Sequence, residues 1–76
     1  MKIEILGTGC PKCKKLFQNT EEAVKDLNLE AEVLKVEDIQ KIMNAGVMMT
    51  PAFAVDGEVK STGKVLSVDE IKNILK

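Results

Sequence analysis

The apolar and polar positions of this chain fall into short segments, each with its own period. Ile3, Ile5 and Leu6, with Glu4 among them, predict a short strand that Gly7-Thr8-Gly9 stops. From Cys10 to about Leu27 the apolar positions are Cys13, Leu16, Phe17, Ala23, Val24 and Leu27. Spacings of three and four, with Lys14, Lys15, Gln18 and Glu22 on the other side, predict an amphipathic helix. Asn28 suits its C-terminal cap. Val33, Leu34 and Val36 predict a second strand over Ala31 to Val36. Asp38 then opens a short helix that places Ile39, Ile42 and Met43 on one face and ends at Gly46.

The second half continues the pattern. Val47 to Thr50 read as a loop into Pro51, and Ala52 to Val55 as a third strand. Asp56-Gly57 is a two-residue hairpin signal, because both central residues of that turn need positive φ. Glu58 to Thr62 is the return strand, broken by Gly63-Lys64. Ser67-Val68-Asp69-Glu70 has the form of a capping box, flanked by Leu66 and Ile71 as a hydrophobic staple. The helix that follows turns Ile71, Ile74 and Leu75 inward. The order is therefore β-α-β-α-β-β-α, an α/β arrangement. The first strand–helix–strand unit calls for a right-handed crossover between parallel strands, and the hairpin adds an antiparallel pair. A four-stranded mixed sheet with helices on both faces is the expected result.

Composition narrows the chemistry. The 76 residues suit one domain, with 45% hydrophobic and 30% charged residues, which favours a globular chain over a disordered one. Eleven basic against twelve acidic side chains leave a net charge of -1, so no bulk field draws nucleic acid or an anionic membrane. There is no His and there are two Cys. A zinc site needs about four such ligands, and histidine acid–base chemistry has no donor, so a pair of thiols is the reactive feature at neutral pH. One possible disulfide is too few for a secreted disulfide scaffold. The N-terminal run carries Glu4 and lacks a signal-peptide pattern, and no apolar run is long enough to span a bilayer. These features predict a cytoplasmic protein.

Cys10-Pro11-Lys12-Cys13 stands directly after the first strand, where the first helix begins. Proline favours the first helical position, which makes Cys10 the N-cap residue and Cys13 the third helical residue. A thiolate at an N-cap faces unpaired N–H groups and the positive end of the helix dipole, and such thiols titrate below free cysteine. Cys10 is the expected nucleophile and Cys13 the resolving thiol. Lys12, Lys14 and Lys15 crowd the first turn against the dipole. Lys12, between the thiols, is expected with Pro11 to tune the Cys10 thiol. Lys14 and Lys15 read equally well as a solvated face.

Those residues, together with Thr50-Pro51 before the third strand, resemble the thioredoxin/glutaredoxin superfamily. Gly-Thr-Gly-Cys-Pro-x-Cys and the chain length are most similar to its small redox-active disulfide proteins of archaea and bacteria. The resemblance covers residues 1–76 as one thioredoxin-like domain. It implies that Pro51 is a cis-proline beside the thiols, that the Thr50 backbone pairs with an extended substrate segment, and that Gly63 contributes to substrate binding. It also implies that Glu4, six residues before Cys10, is placed to move protons to the resolving thiol; the alternative is a strand Glu at an exposed edge, which the residue type slightly favours. Pro11 is similar to glutaredoxins, yet around Ser61-Thr62-Gly63-Lys64 the glutathione-binding elements of that branch are not visible.

The implied activity is reduction of protein disulfides through a Cys10–Cys13 couple. Its partners are disulfide-containing proteins and a thioredoxin-reductase-type electron donor. No metal or organic cofactor is needed, and a monomer is expected. Two rivals use the same residues differently: a copper(I) chaperone, whose soft thiolates hold the metal, and a non-catalytic thioredoxin-like interaction domain. Copper(I) chaperones resemble β-α-β-β-α-β, which is not the order read here. Met43, Met48 and Met49 are expected to fill core or groove; the alternative for Met48 and Met49 is a substrate surface near the thiols.

Overall fold

A computed structural model describes residues 1–9 and 11–75. The elements are β1 (Lys2–Leu6), α1 (Pro11–Asp26), β2 (Glu32–Val36), α2 (Ile39–Asn44), β3 (Ala52–Val55), β4 (Glu58–Thr62) and α3 (Val68–Leu75). The strands form a four-stranded sheet in the order β2-β1-β3-β4. β1 and β2 run parallel, whereas β1–β3 and β3–β4 are antiparallel. This is the mixed sheet the pattern predicts.

Local signals account for most boundaries. Asn28 takes a left-handed φ of 53°, and after it the Leu29 N–H donates to the Val24 carbonyl while the Asn28 N–H donates to that of Lys25. That pair of bonds closes α1 as a Schellman motif. Asp38 caps α2 by accepting from the Gln40 N–H at 2.9 Å. Asp56 and Gly57 have φ values of 51° and 84°, as the tight hairpin requires. The capping box of α3 is reciprocal: the Ser67 N–H donates to Glu70 Oε1 at 3.1 Å and the Glu70 N–H to Ser67 Oγ at 3.2 Å.

Alternation along the strands sends side chains to two different layers. Ile3, Ile5 and Phe53 face α1 and α3, where they pack with Leu16, Ala23, Ile71 and Leu75. Lys72 pairs with Asp26 at 3.0 Å, and the Asn19 amide donates to the Leu66 carbonyl at 2.9 Å, so polar contacts also hold α1 against α3 and the segment before it. Thr20 is fully buried in this layer, its hydroxyl donating to the Leu16 carbonyl at 2.8 Å. Leu6, Ala52 and Ala54 face the other way and pack with Ile42 of α2 and Val47.

The second layer corrects one expectation. Only Ile42 of α2 is buried; Ile39 is 62% exposed and Met43 67%. On a helix with about 100° per residue, Ile39 and Met43 lie roughly 60° and 100° from Ile42. Among the described residues, a single six-residue helix, α2, packs on this face, and its flanks stay exposed. Met48 is 96% and Met49 63% exposed, so the expected core role of Met43, Met48 and Met49 does not hold. Among the described residues, no helix is long and apolar enough to cross a membrane.

Candidate active site

The end of β1 and the first turn of α1 meet the loop before β3. Gly7 continues β1, and its N–H donates to the Val36 carbonyl of β2 at 2.9 Å. Four residues later Pro11 opens α1, its missing N–H needing no partner at a helix start. Cys10 lies outside the described residues. Cys13 is in the first turn of α1 and only 6% exposed. Its Sγ packs so closely on Gly7 that a Cβ at that position would collide with it. Gly7 is needed here for close approach, not for an unusual backbone angle.

The same hypothetical Cβ would lie 3.8 Å from the Cα of Pro51. Pro51 thus flanks Gly7 on the β3 side, and the Thr50–Pro51 peptide bond is cis. Pro51 is fully buried, whereas Thr50 is exposed. Gly63, at φ 67°, is brought to the same place: its N–H donates to the Pro51 carbonyl at 2.8 Å, and the Met49 side chain lies against it. Cys13, Thr50, Pro51 and Gly63, spread widely in sequence, therefore gather at one end of the sheet. Lys12 joins them as an exposed side chain on the first turn of α1, a turn that holds no acidic residue.

Glu4 is placed differently. It sits on β1, a central strand, with Leu34 and Ala54 as register partners. It is half-buried and not at a sheet edge. Alternation puts it on the α2 side with Leu6 and Ala54, while Cys13 meets Gly7 on the α1 side with Ile3 and Ile5.

The pattern along the chain did not disclose a cavity of about 250 Å³ on the β2 side of Cys13. Ile5 and Gly7 form part of its wall, Cys13 reaches it, and Lys14, Lys35 and Glu37 supply its charge. Lys35 and Glu37 come from the end of β2, which the parallel register brings beside Leu6 through Val36. Glu37 also lies against Gly9, where an added Cβ would meet its Oε2 at 3.4 Å.

This architecture agrees with two comparisons. A sequence model of the family described as Thioredoxin domain matches residues 1–76. The chain is 49% identical over 75 residues to a thioredoxin of Methanothermobacter thermautotrophicus, covering 99% of this chain and 97% of that one. The chain belongs to the thioredoxin family. A thioredoxin of Methanocaldococcus jannaschii is 45% identical over 74 residues, 97% of this chain and 85% of its own. A probable thioredoxin of Methanothermobacter marburgensis is 31% identical over 67 residues, 83% and 79%. Membership in the thioredoxin family gives the general class of activity, thiol–disulfide oxidoreduction of the disulfide-reductase kind. The sheet order and the terminal helix α3 also separate the chain from the β-α-β-β-α-β order of copper(I) chaperones.

Proposed function

We propose that the protein reduces protein disulfides through a Cys10–Cys13 dithiol/disulfide couple. The observation that carries this reading is the position of Cys13: buried in the first turn of α1, against Gly7 and beside Pro51, three residues after a second cysteine. The Cys10 thiolate attacks one sulfur of the substrate disulfide. A mixed disulfide forms, and the first substrate sulfur leaves as a thiolate that takes a proton from solvent. Cys13, deprotonated, then attacks the Cys10 sulfur; the second substrate thiol leaves, and the Cys10–Cys13 bond holds the oxidised state. Two electrons have passed to the substrate, and a thioredoxin-reductase-type donor returns them.

In this reading Thr50, an exposed residue, offers its backbone to an extended substrate segment, a form of strand addition. Pro51 and Gly63 fix that backbone through their shared hydrogen bond. Pro11 starts the helix whose N-terminus favours the Cys10 thiolate, and Lys12 adds positive charge beside it. Glu4, on the far side of the sheet from the Gly7–Cys13 contact, leaves proton transfer to solvent reached from the Cys13 side. The protein acts as a cytoplasmic monomer and needs no metal or organic cofactor.

The test is a trapping experiment. Cys13→Ser protein should accumulate a mixed disulfide with an oxidised substrate such as insulin, seen as a mass increase that dithiothreitol reverses. Cys10→Ser protein should form none. A trapped adduct on Cys10→Ser and none on Cys13→Ser would reverse the roles, and none on either would refute the couple.

A further inference from the structure

We infer that the cavity on the β2 side of Cys13 is a binding site for a small zwitterionic amino-acid disulfide of the cystine type. This rests on the dithiol reading above and names a second substrate class for it. At ~30 Å³ per water, 250 Å³ holds roughly eight waters, which is room for one end of a small molecule and too little for a folded segment. The cavity reaches a thiol, and its charged lining is mixed: the ammonium groups of Lys14 and Lys35 and the carboxylate of Glu37. Among the described residues, none of the three is in an ion pair. The Lys35 ammonium is held 4.6 Å above the centre of the Phe17 ring, which fixes it without neutralising it.

This lining selects against simpler ligands. A bare anion would meet the lysines and be repelled by Glu37. A diamine would satisfy Glu37 and be repelled by the lysines. An α-amino acid satisfies both, its carboxylate toward Lys14 and Lys35 and its ammonium toward Glu37, and a sulfur on the adjoining carbon then points to the thiol-bearing wall. Thr50, Pro51 and Gly63 are not part of this lining, so the site is separate from the surface assigned to protein substrates. Turnover balances as one exchange. The dithiol gives two electrons and two protons, the ligand S–S bond breaks, the Cys10–Cys13 bond forms, and two amino-acid thiols leave.

Binding is tested with lanthionine, whose thioether cannot exchange, titrated into the ¹⁵N-labelled full chain. Amide shifts should be confined to Thr8, Gly9, Lys14, Lys35 and Glu37 and should saturate together. Lys35→Gln and Glu37→Gln should each weaken binding by roughly three- to fivefold, the range for one partly exposed ion pair. Both side chains are exposed, and retained dispersion of the remaining amides will report an intact fold. The diamine bis(2-aminoethyl) sulfide, which lacks carboxylates, should not bind. Absent shifts, shifts that neither variant changes, or equal binding of the diamine would overturn the inference. Because lanthionine has no disulfide, this result is independent of insulin reduction, whose failure would instead count against the dithiol couple.

Discussion

The two faces of the sheet are built to different depths. Toward α1 and α3 lie Ile3, Leu16, Phe53 and Ile71, all fully buried, with Ile5 and Leu75 at their margin. Toward α2 the sheet offers Leu6 and two alanines, Ala52 and Ala54, and a six-residue helix that contributes Ile42. One face carries a thick apolar layer, while the other carries a thin one whose margins, Ile39 and Met43, stay in water. Cys13 belongs to the thick side, on the helix that the larger core holds. The exposed Met48, Met49 and Thr50 lead into Pro51 from the thin side. The larger buried core thus lies behind Cys13, and exposed residues of the loop before Pro51 lie next to it.

The most severe way to break this contrast is to empty the thick layer. Phe53→Ala should cost about 3–5 kcal/mol, whereas Ile42→Ala should fall near the low end of the range for such changes, about 2 kcal/mol, because its surroundings are shallow. Urea unfolding of both variants checks this, and equal losses would erase the distinction between the faces. Gly7→Ala tests the seam. Its methyl group has to displace Cys13 Sγ, for a cost of about 1–3 kcal/mol, and should change thiol reactivity with an alkylating agent as well as stability.

The smallest effect concerns the start of α3. Ser67→Ala should lose about 1 kcal/mol, the usual worth of an N-cap hydroxyl. The Ser67 N–H first, and then the Lys64 ammonium at 3.0 Å, hold the Glu70 carboxyl below its ordinary value. A lowered folded-state value means that this contribution is full above the unfolded glutamate pKa of about 4.3 and is lost as pH falls through the lower folded one. Glu70→Gln should therefore flatten that part of the acid limb, seen by comparing unfolding midpoints at neutral and acid pH.

How far the sequence disclosed this arrangement depends on the range of the forces involved. The Asp56-Gly57 turn, the Asn28 termination and the Ser67–Glu70 box are set within a few residues of themselves, and each was legible. The parallel β1–β2 pair and the antiparallel β3–β4 hairpin also followed from one crossover and one turn, whereas the β1–β3 pairing that joins them into one order is a long-range contact with no local signal. The exposure of the methionines was not legible, because an apolar residue is covered only if another element arrives, and Met43 and Met48 stay largely exposed. Thr20 reads as polar yet is buried, since helix geometry lets its hydroxyl satisfy itself on the Leu16 carbonyl. Of the candidate site, Cys10, Cys13 and Pro51 stood out by type and spacing. Lys35 and Glu37 did not, because only the parallel register of β1 and β2 carries them to Gly9 and Cys13.

The central claim is that Cys10 and Cys13 form one two-electron couple, and a redox titration tests it most directly. The protein is equilibrated across ratios of reduced to oxidised dithiothreitol, alkylated, and weighed. The account requires a single transition between a doubly alkylated form and an unalkylated form, with the disulfide mapped to Cys10 and Cys13. A chain that stays doubly alkylated under the most oxidising conditions, or that oxidises only by linking to a second copy, would contradict it.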